Sequence, residues 1–147
     1  MIIKSETYIA KQKQRALKEG FDYVHTYYEY LSDSPTLVDF TIKHLRNGES
    51  LLWHSDCGSG KSSTVTGYND IKGLAQRFNE LTNMPVYIAY PTTAIVEDKR
   101  ESVNPNIVKT TSGIGDATMK VIRDNKIVQC TIDSLAEAFN NGTIDRP

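Results

Sequence analysis

The sequence predicts an α/β fold, a parallel sheet with flanking helices, and three observations carry that prediction. Apolar runs of strand length recur at Leu51–His54, Val86–Tyr90 and Lys126–Ile132. Each is followed by a stretch that suits a helix. Between the first run and its helix lies Ser55-Asp56-Cys57-Gly58-Ser59-Gly60-Lys61-Ser62, a glycine-rich turn ending in Lys-Ser. Strands that alternate with helices pair in parallel and are covered by those helices.

The elements follow in order. Residues 4 to 32 read as helical and mixed in polarity, with Lys4, Lys11, Lys13, Arg15 and Lys18 on the chain before Gly20 breaks it. Tyr23, Tyr27, Tyr28 and Tyr30 then cluster with Phe21, Val24 and Leu31. Such a cluster packs one helix on its neighbour; beside lysines it also offers a surface on which bases stack. Residues 1–34 are therefore set apart as an N-terminal helical segment and residues 35–147 as the α/β unit. Ser32-Asp33-Ser34-Pro35 is a turn and a helix start. The helix from Thr36 to Arg46 carries Leu37, Phe40 and Leu45 on its apolar side, with Ile42 near the edge, and Asn47-Gly48 ends it.

Leu51–His54 reads as a short buried parallel strand. The helix after the glycine-rich turn is predicted from Lys61 to Leu81, with Ile71, Leu74, Ala75 and Phe78 as an amphipathic stripe. Gly67 and Gly73 fall inside it and weaken it. Val86–Tyr90 is the second strand. Pro91-Thr92-Thr93 caps a helix that runs to about Ser102. Asn104-Pro105-Asn106 is a loop, Ile107–Thr110 a short strand, and Thr111–Asp116 a link. Met119–Ile122 suits either a strand or a helix. Lys126–Ile132 is a strand, and Ser134–Phe139 a short helix capped by Asp133 or Ser134.

Composition bounds the function. A chain of 147 residues is about one domain, and 24% charged with 39% hydrophobic residues is the balance of a globular protein. The formal net charge of −1 excludes a basic module that coats nucleic acid. Two cysteines, Cys57 and Cys130, make neither a disulfide framework nor a zinc site and suit a reducing cytoplasm. The N-terminus has no signal-peptide pattern, and no run reaches the roughly 18 apolar residues of a membrane span. His25, His44 and His54 lack metal-ligand spacing.

The turn from Ser55 to Ser63 is the candidate for chemistry. Gly58 and Gly60 free the backbone to take positive φ and to curl its N–H groups around an anion. Lys61 reaches the β- and γ-phosphates of a nucleotide, and the Ser62 hydroxyl can ligate Mg²⁺. The cofactors implied are ATP and Mg²⁺. Ser55, Asp56, Cys57, Gly58, Ser59, Gly60, Lys61, Ser62 and Ser63 form the binding loop, with Lys61 and Ser62 in the catalytic roles. The pattern Gly-x-x-x-x-Gly-Lys-Ser/Thr has glycine where this chain has Ser55. Cys57 has no positioned base and reads as a variable loop residue.

Three segments in order resemble the first RecA-like P-loop domain of a superfamily 2 (DEAD/DEAH-like) helicase of phage or plasmid character. They are Asn47–Ser62, Val86–Val96 with its Pro91-Thr92-Thr93, and Ile127–Leu135 with its Thr131-Ile132-Asp133-Ser134-Leu135. The resemblance covers residues 36 to 140. It implies a P-loop NTPase sheet and an ATP-dependent motor of DNA replication or recombination. It also implies a strand-holding role for Pro91, Thr92, Thr93, Thr131 and Ser134. Read from the residues alone, Thr92 and Thr93 suit either a phosphate oxygen or an N-cap. Thr131 and Ser134 suit capping.

The family's acidic motif, an aspartate for Mg²⁺ and a glutamate for water, does not appear before Pro147. Asp133 ends an apolar run but lacks the second acid, and Glu97-Asp98 lies inside a predicted helix. The expectation is thus an incomplete RecA-like domain that binds ATP or ADP and is inactive alone. Single-stranded or duplex DNA, and missing C-terminal lobes or a protein partner, complete it in the cytoplasm of a bacterium or of a virus-infected host. Two alternatives stand beside this. One is a non-catalytic P-loop binding or accessory module. The other is a small phosphotransferase, for which Arg100 and Arg123 are available but not clustered.

Overall fold

The computed structural model describes residues 5–24, 31, 34, 36–55, 58–68, 71–99, 107–110 and 115–145. Among the described residues seven helices and three strands follow in the order α1 (Glu6–Lys18), α2 (Leu37–Arg46), α3 (Lys61–Thr66), α4 (Leu74–Thr82), β1 (Val86–Tyr90), α5 (Thr93–Asp98), β2 (Val108–Lys109), α6 (Asp116–Asp124), β3 (Ile127–Thr131) and α7 (Ile132–Asn140). The strands form one parallel sheet in the order β1-β3-β2. Val86 pairs with Ile127 and Tyr90 with Thr131, while Val108 pairs with Val128. The predicted α/β class with a parallel sheet and flanking helices is what the chain adopts.

β3 is central and buried along its whole length, as a strand paired on both sides and covered on both faces must be. Its alternate residues feed two cores. Val128 and Cys130 pack with Met119, Ile122, Ala138 and Ile144, under α6 and α7. Ile127 packs on the other side with Ala75 and Ile107, joined by Val65, Val86 and Ile88. α6 and α7 are short, nine residues each, and are held by this burial rather than by length. Thr131 caps α7: its hydroxyl accepts from the Ser134 N–H at 3.1 Å.

Met119–Ile122, which suits strand or helix by sequence, is helical and part of α6, with Thr118, Met119 and Ile122 buried at helical spacing. Several expectations are corrected. The cap of α7 is Thr131, not Asp133 or Ser134. Leu51–His54 is not a strand. Leu52 is 67% exposed, so the run lacks the two-sided cover of a parallel strand, and the Ser55 carbonyl accepts from the Lys61 ammonium instead. In α2 the buried residues are Thr41 and Ile42, while Phe40 and Leu45 face outward. α1 ends at Lys18 and buries no residue, so the N-terminal helix is shorter than predicted. Tyr27, Tyr28 and Tyr30 lie outside the described residues, as do Asn104-Pro105-Asn106 and Arg100.

The helix predicted from Lys61 to Leu81 is two helices. α3 carries the β-branched run Thr64-Val65-Thr66, and Gly67 stops it at φ 77°. Tyr68 and Ile71 then exchange backbone hydrogen bonds before α4 begins. The two glycines cross closely: a Cβ on Gly67 would stand 2.7 Å from the Gly73 nitrogen. The Gly73 N–H donates to Gln76 Oε1 at 3.1 Å, which starts α4. Ile71 therefore leaves the amphipathic stripe and is exposed, while Ala75 is buried.

Among the described residues no helix is long and apolar enough to cross a membrane.

Candidate functional site

The glycine-rich loop is a closed bend. Gly58 and Gly60 sit at φ 78° and 84°, left-handed values that a residue with a Cβ rarely takes. Between them Ser59 is buried, and its hydroxyl lies 2.6 Å from that of Ser55. The Ser59 carbonyl accepts from the Leu31 N–H at 2.9 Å, which ties the loop to the segment before α2. The Lys61 ammonium turns back over the bend and donates to the Ser55 carbonyl at 2.8 Å and its hydroxyl at 3.3 Å. That posture brings a cation and the loop's own backbone to one spot. Ser55 supplies a hydroxyl that both Ser59 and Lys61 reach.

Helix α3 opens at Lys61, and Thr64 Oγ1 donates to the Gly60 carbonyl at 2.7 Å, closing its first turn. Ser62 and Ser63 are exposed on that turn. Asp56 and Cys57 lie outside the described residues. Of the predicted loop, the structure therefore brings together Ser55, Ser59 and Lys61 through side chains, with Gly58 and Gly60 as the hinges and Ser62 at the rim.

Ser62 has a neighbour that sequence reading missed. The Lys99 ammonium, at the end of α5, lies 3.4 Å from Ser62 Oγ. It also stands over the Tyr90 ring, 5.9 Å from its centroid. Tyr90 is the last residue of β1, and its hydroxyl donates to Gln129 Oε1 at 2.7 Å. Burial pushes the Tyr90 phenol above its ordinary value, so it remains a donor at neutral pH. Gln129 is fully buried, and its Nε2 has no hydrogen-bond partner among the described residues. Ser62 and Lys99 are separated by 37 residues, so no local pattern marks the pair. The contact also places the loop beside the C-terminal end of β1, the end at which ligands of open parallel sheets bind.

The five predicted strand-holding residues lie at that same end. Pro91, Thr92, Thr93 and Thr131 line an open cleft of about 710 Å³ together with Asp133, Ala136, Glu137 and Asn140. Thr92 caps α5, accepting from the Ile95 N–H at 3.4 Å, and Thr93 is exposed. Ser134 is 2% exposed and does not line the cleft; its hydroxyl accepts from Thr131 Oγ1 at 2.9 Å. Asp133 and Glu137 bring two carboxylates to the same cleft. Asp133 sits in the first turn of α7 and is exposed.

Among the described residues no group of three or more His, Cys, Asp or Glu side chains could hold a metal ion. Mg²⁺ chemistry at the loop would draw on the Ser62 hydroxyl and on phosphate oxygens of the nucleotide.

No protein-family model, no curated protein and no solved structure matches this chain.

Proposed function

We propose that the loop from Ser55 to Ser63 binds the polyphosphate of ATP or ADP with Mg²⁺, as the nucleotide-binding part of a DNA helicase or translocase. One observation carries this reading. Gly58 and Gly60 take left-handed φ on either side of Ser59, and the Lys61 ammonium folds back onto the Ser55 carbonyl, so a cation stands over the turn that would cradle the phosphates. In the nucleotide complex the Lys61 ammonium leaves Ser55 for the β- and γ-phosphates, and Ser62 Oγ turns to Mg²⁺. DNA would lie at the C-terminal end of the sheet, against Pro91, Thr92, Thr93 and Thr131, with Ser134 acting behind Thr131.

The motor itself needs an acid that positions water, and the described loop residues supply none. The chain therefore binds nucleotide without turning it over, and a P-loop accessory module is the second reading. It is favoured by the segment Leu51–Ser55, which stands outside the three-stranded sheet.

Isothermal calorimetry of the chain with MgATP and MgADP tests the proposal. Binding is expected in the wild type and absent in Lys61→Ala, with circular dichroism unchanged. Equal affinity in the two proteins refutes the loop as the nucleotide site. Steady-state phosphate release near background is expected; a robust rate refutes the non-hydrolytic reading.

A further inference from the structure

We propose that Lys99 is a second phosphate-binding cation of this nucleotide site, one that reads the terminal phosphate of a nucleoside triphosphate. The inference rests on the nucleotide reading of the loop and adds to it a residue from another part of the fold.

Four groups from four elements meet in sequence. Ser62 Oγ lies 3.4 Å from Lys99 Nζ. The same ammonium stands 5.9 Å from the centre of the Tyr90 ring. Tyr90 is fixed in turn by its hydroxyl, which donates to Gln129 Oε1 at 2.7 Å. Gln129 belongs to the central strand and is 0% exposed. An amide in that position, with its Nε2 unpartnered, is a costly choice in an apolar strand. What it does achieve is to hold the Tyr90 ring at the end of β1. The ring then forms a floor on which a cation is favourable.

The chemistry of the partner follows from where that cation sits. Lys99 Nζ is one hydrogen bond from the hydroxyl that a P-loop uses for Mg²⁺. A divalent ion held at Ser62 would take the hydroxyl, while the Tyr90 ring would keep the ammonium beside the loop. Phosphate oxygens bound in the loop would then be acceptors for it. Lys61 approaches from the Ser55 side of the bend and Lys99 from the Ser62 side, so the two cations flank the polyphosphate. A diphosphate, one phosphate shorter, leaves Lys99 with less to hold. The residue therefore favours triphosphate over diphosphate. It also lets the loop retain a triphosphate when Mg²⁺ is scarce, since an ammonium already occupies the place beside Ser62.

Calorimetric titration of the full chain with ATP and with ADP, each in Mg²⁺ and in EDTA, tests this. The proteins are wild type, Lys99→Met, Lys99→Arg and Lys61→Ala. Lys99→Met is expected to weaken ATP by roughly tenfold or more, the scale of one charge-assisted hydrogen bond. ADP weakens much less, and the loss for ATP is larger in EDTA. Lys99→Arg retains most of the ATP affinity. Wild-type ATP binding that vanishes in Lys61→Ala but is unchanged in Lys99→Met overturns the role of Lys99 and leaves the loop reading intact. Equal losses for ATP and ADP in Lys99→Met overturn the triphosphate preference. No binding by the wild type overturns both.

Discussion

The loop half of this chain, residues 51 to 73, and the sheet half, residues 86 to 144, are built by different forces. In the sheet half Ile122, Val128, Cys130 and Ala138 are all 0% exposed, and apolar burial fixes the arrangement. In the loop half Leu52, Tyr68 and Ile71 are each more than half exposed. Shape there comes from left-handed glycines, from the Gly67–Gly73 crossing and from hydroxyls that close on backbone carbonyls, as Thr64 does on Gly60 and Thr66 on Ser62. A core held by area tolerates a lost hydrogen bond. A segment held by hydrogen bonds and dihedral angles depends on each of them, even where Ser59, Thr64 and Thr66 are buried.

The largest effect that separates the halves comes from truncating matched isoleucines. Ile122→Ala removes a fully buried side chain and is expected to cost about 2–5 kcal/mol. Ile71→Ala removes one that is 71% exposed and is expected to cost no more than about 0.5 kcal/mol. Urea denaturation followed by circular dichroism reads both. Comparable losses would mean that Ile71 is packed and that the loop half has a core of its own.

Gly73→Ala attacks the loop half through its own means of construction. A Cβ at Gly73 would stand 2.5 Å from the Val65 carbonyl oxygen and 2.8 Å from the Thr66 carbonyl carbon, and backbone cannot move aside as a side chain can. A loss of about 1–3 kcal/mol is expected, with nucleotide affinity falling in step because α3 is displaced. Gly142→Ala is the control: its φ is 77°, yet nothing lies within 4 Å of its missing Cβ. It is expected to cost about 1 kcal/mol from the backbone angle and to leave the loop alone. An unperturbed melt in Gly73→Ala would show that the crossing is not a fixed point of the fold.

The same division explains what could be read from the sequence. Val86–Tyr90 matches its predicted strand residue for residue, and Ile127–Thr131 differs from its prediction by one residue at each end; the apolar run of Ile127–Thr131 reflects full burial, whereas Val86–Tyr90 is only partly buried and is marked by its β-branched and aromatic residues. The bend at Gly58 and Gly60 was legible for an equally local reason: positive φ restricts the residue type. Leu51–His54 was misread because an apolar run says that burial is favourable, not which surface provides it. The helix after Lys61 was misread across Gly67 and Gly73, where two glycines allow a close crossing that the periodicity of Leu74, Ala75 and Phe78 cannot register. Lys99 was out of reach because its place beside Ser62 depends on how β1 and α5 stack, and the pair shares no spacing rule. The cleft carboxylates Asp133 and Glu137 stand one helical turn apart on α7, and only the fold shows that they share a wall with Thr92 and Thr93.

The smallest effect concerns Cys130, the thiol at the middle of the sheet half. Burial pushes its pKa from 9.0 up to about 11. The unfolded chain releases this proton near the ordinary value, whereas the folded chain keeps it until near the raised one. Between those values the folded state binds more protons than the unfolded state, so stability falls as pH rises. The contribution is fully present below about pH 9 and is lost on passing through about pH 11. A loss on the order of 1 kcal/mol by pH 10 is expected from this group. Tyr87 packs against the same core and is also raised, by burial first and by the Cys130 charge second, so part of the alkaline slope is its own. Cys130→Ala separates the two: the slope between pH 9 and 10 should flatten, while the Tyr87 part persists above it. Urea midpoints at pH 8, 9 and 10 for wild type and Cys130→Ala decide it. A slope between pH 9 and 10 that is as steep in Cys130→Ala as in the wild type would place the alkaline sensitivity in groups other than this thiol.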